Sequence, residues 1–127
     1  KRKMKHESAI IKKRYSVEGM LSIIKCFDMC IGMRLHTLIY AAINSVPLIG
    51  LVYDPKINSF MEYTHQRHYV DVNEVTDENL KKMLDECVAN YDTIKQDLKE
   101  NYSHLKEKAK LNGKYAIELY EKGSVTL

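Results

Sequence analysis

The chain has 127 residues, 45% of them hydrophobic and 29% charged, which is one domain's length and an ordinary globular composition and excludes a disordered or fibrous chain. No apolar run reaches the ~18 residues that a bilayer-spanning helix needs, and no secretory leader is visible. The net charge of +3 is lopsided, with seven basic groups in residues 1–14 against Glu7 alone; with no aromatic residues interleaved as stacking platforms, this run reads as a solvated lead-in and not as a nucleic-acid surface.

Ala9–Ile11 is a short apolar stretch inside the basic run and predicts a first or edge strand. Ser16 predicts an N-cap, and Val17, Met20, Leu21 and Ile24 repeat at helical spacing, so residues 17–26 read as a helix. Met29–Gly32 is apolar but too short for one. Leu35, Leu38, Ile39 and Ala42 repeat at helical spacing again, and Tyr40, Ala41 and Ile43 make the opposite face apolar too. That second helix is expected to be buried over much of its surface, ending at Asn44–Ser45. After Pro47, Leu48–Tyr53 is an unbroken apolar run, as expected of a central parallel strand covered on both faces. Asp54-Pro55 stops it, and Phe60, Met61 and Tyr63 belong to a short helix from near Ile57. Tyr69–Val72 predicts a further strand. Thr76 caps the next helix, whose stripe of Leu80, Met83, Leu84, Cys87 and Val88 runs to about Asn90. From Tyr91 a last helix runs toward Lys122, with Ile94, Leu98, Tyr102, Leu105 and Ala109 on one face and dense charge on the other. Gly113 is expected to kink or interrupt it.

Alternating strands and helices with short connections predict a Rossmann-like α/β fold: a parallel sheet of about four strands with helices on both faces. Residues 1–127 read as a single lobe, with 1–14 as a basic lead-in containing the first strand and 91–122 as a long C-terminal surface helix. The chain has neither a Gly-x-Gly-x-x-Gly fingerprint nor a phosphate loop ending in Gly-Lys-Ser/Thr, which argues against a dinucleotide oxidoreductase or a P-loop ATPase. Cys26, Cys30 and Cys87 read as small buried apolar residues in a reducing compartment, since their spacing is poor for zinc. His65 and His68 read as a polar loop, and no metal site is assigned.

In open α/β sheets, ligands bind beyond the carboxyl ends of the strands. Two adjacent elements end there in unusual chemistry: Gly32-Met33-Arg34-Leu35-His36 and Tyr53-Asp54-Pro55-Lys56. If the two strands are neighbours, Arg34, His36 and Lys56 converge on one crevice beside helix N-termini, whose free N–H groups attract anions. Gly32 permits close backbone approach. Phosphate or carboxylate is the expected ligand. Each residue also has a plainer reading. His36 would be a structural hydrogen-bonder, Arg34 a partner for a buried carboxylate or carbonyl, and Lys56 a solvated lysine. Asp54 would be a helix cap, and Tyr53 a core residue with a wet hydroxyl.

The stretch Ile31-Gly32-Met33-Arg34-Leu35-His36-Thr37-Leu38-Ile39-Tyr40-Ala41-Ala42, followed by Val46-Pro47-Leu48-Ile49-Gly50-Leu51-Val52-Tyr53-Asp54-Pro55-Lys56 and Phe60-Met61, closely resembles the polysaccharide pyruvyl transferase family. It is most similar to the bacterial branch that modifies secondary cell-wall polysaccharide. The resemblance is strong over about residues 16–63 and weaker toward the C-terminus. It implies two Rossmann-like lobes arranged as in a GT-B glycosyltransferase, with the active site between them. The chain would then be most of the C-terminal lobe, and the N-terminal lobe, carrying a further site Arg, would lie outside it. The chain alone is accordingly expected to be an incomplete catalyst.

The resemblance further implies that His36 and Lys56 help hold phosphoenolpyruvate, the donor substrate. Arg34 is a third candidate for substrate binding, and His36 is the catalytic candidate, as proton carrier. No cofactor or metal is expected. The acceptor would be a glycan or lipid-linked saccharide, and nucleic acid is not an expected partner. The expected location is the cytoplasm, with the inner membrane surface as the other option; the sequence is compatible with a homo-oligomer. Two other functions remain open: a sugar-nucleotide glycosyltransferase lobe on the same scaffold, and a non-catalytic anion-binding or assembly module using helix 91–122 as its partner surface.

Overall fold

The computed structural model describes residues 5–122. Its elements run α1 (Val17–Ile24), β1 (Cys30–Gly32), α2 (Leu35–Ile43), β2 (Leu48–Val52), α3 (Pro55–Tyr63), β3 (Tyr69–Asp71), α4 (Asp77–Ala89) and α5 (Tyr91–Glu121). The three strands form one parallel sheet in the order β1-β2-β3. The apolar run after Pro47 is its middle strand, as expected. Leu48 and Ile49 point to opposite faces and both are fully buried, so β2 is covered on both sides.

Two glycines show which helices lie on one of those faces. Gly32 and Gly50 are partners in the β1–β2 register. A Cβ on Gly32 would come within 2.9 Å of Leu38 of α2, and one on Gly50 within 3.1 Å of Met61 of α3. Cross-strand partners point the same way, so α2 and α3 pack side by side on one face, as two right-handed crossovers in one direction require. The absent side chains let both helices approach the sheet closely.

The β1–α2 and β2–α3 segments are built alike. In each, the N-cap lies two residues past the strand (Arg34, Asp54) and the helix has nine residues. Each helix closes with a left-handed residue, Ser45 and His65, both at φ 54°. The next residue, Val46 or Gln66, donates its N–H back to Ala41 or Met61 at 2.9 and 2.8 Å. That is the paired C-terminal bonding that satisfies the last carbonyls of a helix.

Several expectations need correction. Ala9–Ile11 is not a strand: no ladder forms there, and Ile10 is 64% exposed. The sheet therefore has three strands among the described residues, not about four. A strand needs a partner edge, which a local apolar pattern cannot supply. On the face opposite Gly32, Ile31 is 44% exposed although its register partner Ile49 is buried, so that face is covered at β2 and open at β1. Helix α1 ends at Ile24, not at residue 26, leaving Cys26 exposed while Cys30 and Cys87 are buried. Burial pushes the thiols of Cys30 and Cys87 above their ordinary range.

Thr76 caps α4 as expected, and its hydroxyl and the Asn79 side chain form a reciprocal capping box. Helix α5 runs 31 residues without interruption at Gly113. Ile94 and Leu98 enter the core, and the Asn101 amide donates to the Thr64 carbonyl at 2.8 Å, tying α5 to the end of α3. From Leu111 onward its large apolar side chains are exposed. No helix among the described residues is long and apolar enough to cross a membrane.

Candidate functional site

Because β1 and β2 are adjacent and parallel, the starts of α2 and α3 lie at the same edge of the sheet. His36 and Lys56 hold the same place in the two segments, the second residue of each helix. The register sets them apart along the strand direction. Gly32 pairs with Gly50, so β2 runs two residues beyond the end of β1, about 7 Å.

The two helix starts differ in their electrostatics. Asp54 caps α3: its Oδ1 accepts the Lys56 backbone N–H at 3.0 Å, and its carbonyl accepts the Ile57 N–H at 2.9 Å. Pro55 has no N–H to offer. The exposed donors of that turn are thereby taken up. Arg34, the N-cap of α2, makes no side-chain cap bond. The N–H groups of Leu35 and His36 have no acceptor among the described residues, so the α2 start presents unfilled donors at the positive end of its dipole.

Lys56 folds back on its own cap. Its Nζ lies 3.0 Å from Asp54 Oδ2. The backbone hydrogen bond from Lys56, and then the Lys56 ammonium, hold the Asp54 carboxyl below its ordinary range. The side-chain bond to Asp54 and its charge in turn raise the Lys56 ammonium. The cap role weighed for Asp54 is thus present; the grip on Lys56 is an addition that residue types alone did not indicate.

His36 is exposed, with its ring edge-on to Tyr40 at a centroid distance of 6.3 Å. Arg34 is exposed and has no ion-pair partner among the described residues, so it does not hold a buried carboxylate there. No hydrogen bond or ion pair among the described residues joins Arg34, His36 and Lys56 to one another. They share one edge as separate groups. Tyr53 is not a core residue: it is half-exposed, one position past the end of β2.

A sizeable cavity lies elsewhere. It encloses about 670 Å³ between the α3–β3 loop, α4 and α5, and is lined in part by His65, Arg67, His68, Glu86 and Asp97. None of the three candidate residues borders it. That loop enters β3 at its amino end, so the cavity sits at the opposite edge of the sheet from His36 and Lys56. Within it the His68 ring is 3.5 Å from Glu86. Its lining is drawn from three separate stretches of chain, which no local motif announces. The edge at His36 is chemically more pointed: unfilled N–H donors beside an imidazole and the Arg34 guanidinium, with the Lys56 ammonium paired to Asp54, and with Asp71 at the neighbouring strand end.

Residues 2–55 match the model of the polysaccharide pyruvyl transferase family. The match takes in Arg34 and His36 and ends at Pro55, one residue before Lys56. No curated protein and no solved structure matches the chain.

Proposed function

From a chain whose residues 2–55 carry the pattern of the polysaccharide pyruvyl transferases, a family of transferases, we propose that the α2/α3 edge binds phosphoenolpyruvate and serves pyruvyl transfer to a saccharide. The observation that carries this reading is the placement of His36 and Lys56 at equivalent positions of two neighbouring helix starts on one sheet edge.

A phosphate monoester carries about −1.5 to −2 charges near neutral pH, and the enol's carboxylate adds another. The unfilled Leu35 and His36 N–H groups suit the phosphate, since helix N-termini bind such oxyanions. Lys56 supplies a compact cation from the next helix, and the Arg34 guanidinium can engage a carboxylate through two parallel N–H donors.

The reaction follows from the chemistry of the donor. His36, as imidazolium, gives a proton to the enol methylene, which becomes a methyl group and leaves an oxocarbenium-like carbon. A sugar hydroxyl attacks that carbon and loses its proton to a base, for which the now-neutral imidazole is available. The C–O bond to phosphate breaks, inorganic phosphate departs with the bonding pair, and a second hydroxyl of the sugar closes the ketal as its proton passes to the departing phosphate. The acceptor glycan or lipid-linked saccharide, the second lobe of a GT-B-like pair and a cytoplasmic setting belong to the same reading.

The test is kinetic. In the full-length protein, His36→Ala and Lys56→Ala are each expected to lower pyruvyl transfer by at least two orders of magnitude, with unchanged circular dichroism. Transfer at the wild-type rate by either variant would contradict the assignment of that residue.

A further inference from the structure

We propose that Asp54 is the counter-ion that Lys56 surrenders when the donor's phosphate arrives, making the Asp54–Lys56 pair a displaceable stand-in for the bound anion. This rests on the donor-binding reading of the same edge and assigns Asp54 a positioning role within it.

The geometry separates the two tasks of one carboxylate. Oδ1 is committed to the backbone N–H of Lys56 at 3.0 Å, while Oδ2 holds the ammonium at 3.0 Å. The first bond anchors the carboxylate to the helix start, next to a proline whose φ is fixed. Asp54 therefore cannot follow the ammonium if it moves. The Lys56 side chain, 55% exposed and carried on a flexible four-carbon stem, is free to swing. An exposed pair of single charges is weak and screened, whereas a phosphate monoester offers up to about two negative charges and three acceptor oxygens. The exchange therefore favours the incoming anion. Until then, Asp54 holds the ammonium at the start of α3. The other charged or titratable groups at this edge include Tyr53, Arg34, His36 and the Asp71 carboxylate at the end of β3, whose register partner is Val52.

Asparagine caps a helix as well as aspartate does, so Asp54→Asn keeps the fold and removes only the competing charge. The experiment follows the carboxyl carbon of Asp54 by NMR in the full-length protein across pH, with and without saturating phosphoenolpyruvate. Inorganic phosphate serves as a second probe, and donor affinity is measured for wild type, Asp54→Asn and Lys56→Ala. The expected results are an Asp54 carboxyl that titrates at higher pH once the donor is bound, and several-fold tighter donor binding by Asp54→Asn. The same shift with inorganic phosphate would identify the phosphoryl group as the displacing anion; a shift with phosphoenolpyruvate alone would overturn that identification. If phosphoenolpyruvate binds in a Lys56-dependent way but the Asp54 titration stays put, or Asp54→Asn binds no more tightly, the exchange is refuted and the donor reading stands. If phosphoenolpyruvate fails to bind, or binds Lys56→Ala equally well, the donor reading falls and the exchange with it.

Discussion

Gly32 links packing to chemistry at the scale of a single residue. Its missing Cβ lets the fully buried Leu38 sit against β1, and Leu38 lies one turn below the helix start that carries His36. Gly32→Ala would put a methyl group 2.9 Å from a side chain with no room to retreat. Overpacking of this kind costs about 1–3 kcal/mol. Urea denaturation should register that loss, and donor affinity should fall as the α2 start is pushed off the sheet. Residue types at strand ends made Arg34, His36 and Lys56 legible as candidates, because an imidazole and two cations at successive turns are uncommon. The Asp54–Lys56 contact was not legible in the same way. A contact two residues apart across a helix cap depends on two rotamers that sequence spacing leaves open. Tyr53 and Cys26 are exposed for a related reason. Each lies just past the end of its element, where an apolar run continues but burial does not.

Elements with a complete pattern of their own were the most legible. The cap at Ser16, the cap of α4 and the breaker Asp54-Pro55 all act within one helix turn, and the structure follows them; the α4 stripe holds from Leu80 to Cys87 but fails at Val88, which is 68% exposed. Ala9–Ile11 shows the limit: a strand is defined by its neighbour, and three apolar residues do not name one. Helix α5 shows another. Its period is uniform, yet only its first half has something to pack on. Leu98→Ala, at a site 2% exposed, should cost about 2–5 kcal/mol, whereas Leu119→Ala, at an exposed site, should change stability by no more than about 0.5 kcal/mol. Thermal melts of the two variants check this contrast. Gly113 gives a prediction of opposite sign. It sits in an unbroken helix with nothing within 4 Å of the position a Cβ would take. Gly113→Ala should stabilise by about 0.4–1 kcal/mol through the entropy of the unfolded chain, raising the denaturation midpoint. A lower midpoint would mean that the glycine serves a kink that the helix does not display.

Across the whole molecule, the parallel order β1-β2-β3 turns residues twenty positions apart in sequence into neighbours at one edge. Alternation of strands and helices was enough to anticipate that arrangement, since right-handed crossovers between adjacent parallel strands leave few alternatives. It was not enough to reveal the cavity of about 670 Å³ at the opposite edge, whose lining is gathered by the packing of α4 and α5 rather than by any motif. The molecule thus presents two polar regions at opposite ends of one sheet. The edge of His36 and Lys56 is preferred to that hollow on the ground of chemistry, since it sets unfilled N–H donors beside an imidazole. The crystal structure of the full-length protein with bound phosphoenolpyruvate decides between them most directly. The account predicts phosphate oxygens within about 3 Å of the Lys56 ammonium and of the His36 imidazole or backbone N–H, with the Asp54–Lys56 contact broken. Phosphoenolpyruvate lodged instead among His65, Arg67 and His68, with Lys56 still resting on Asp54, would contradict it.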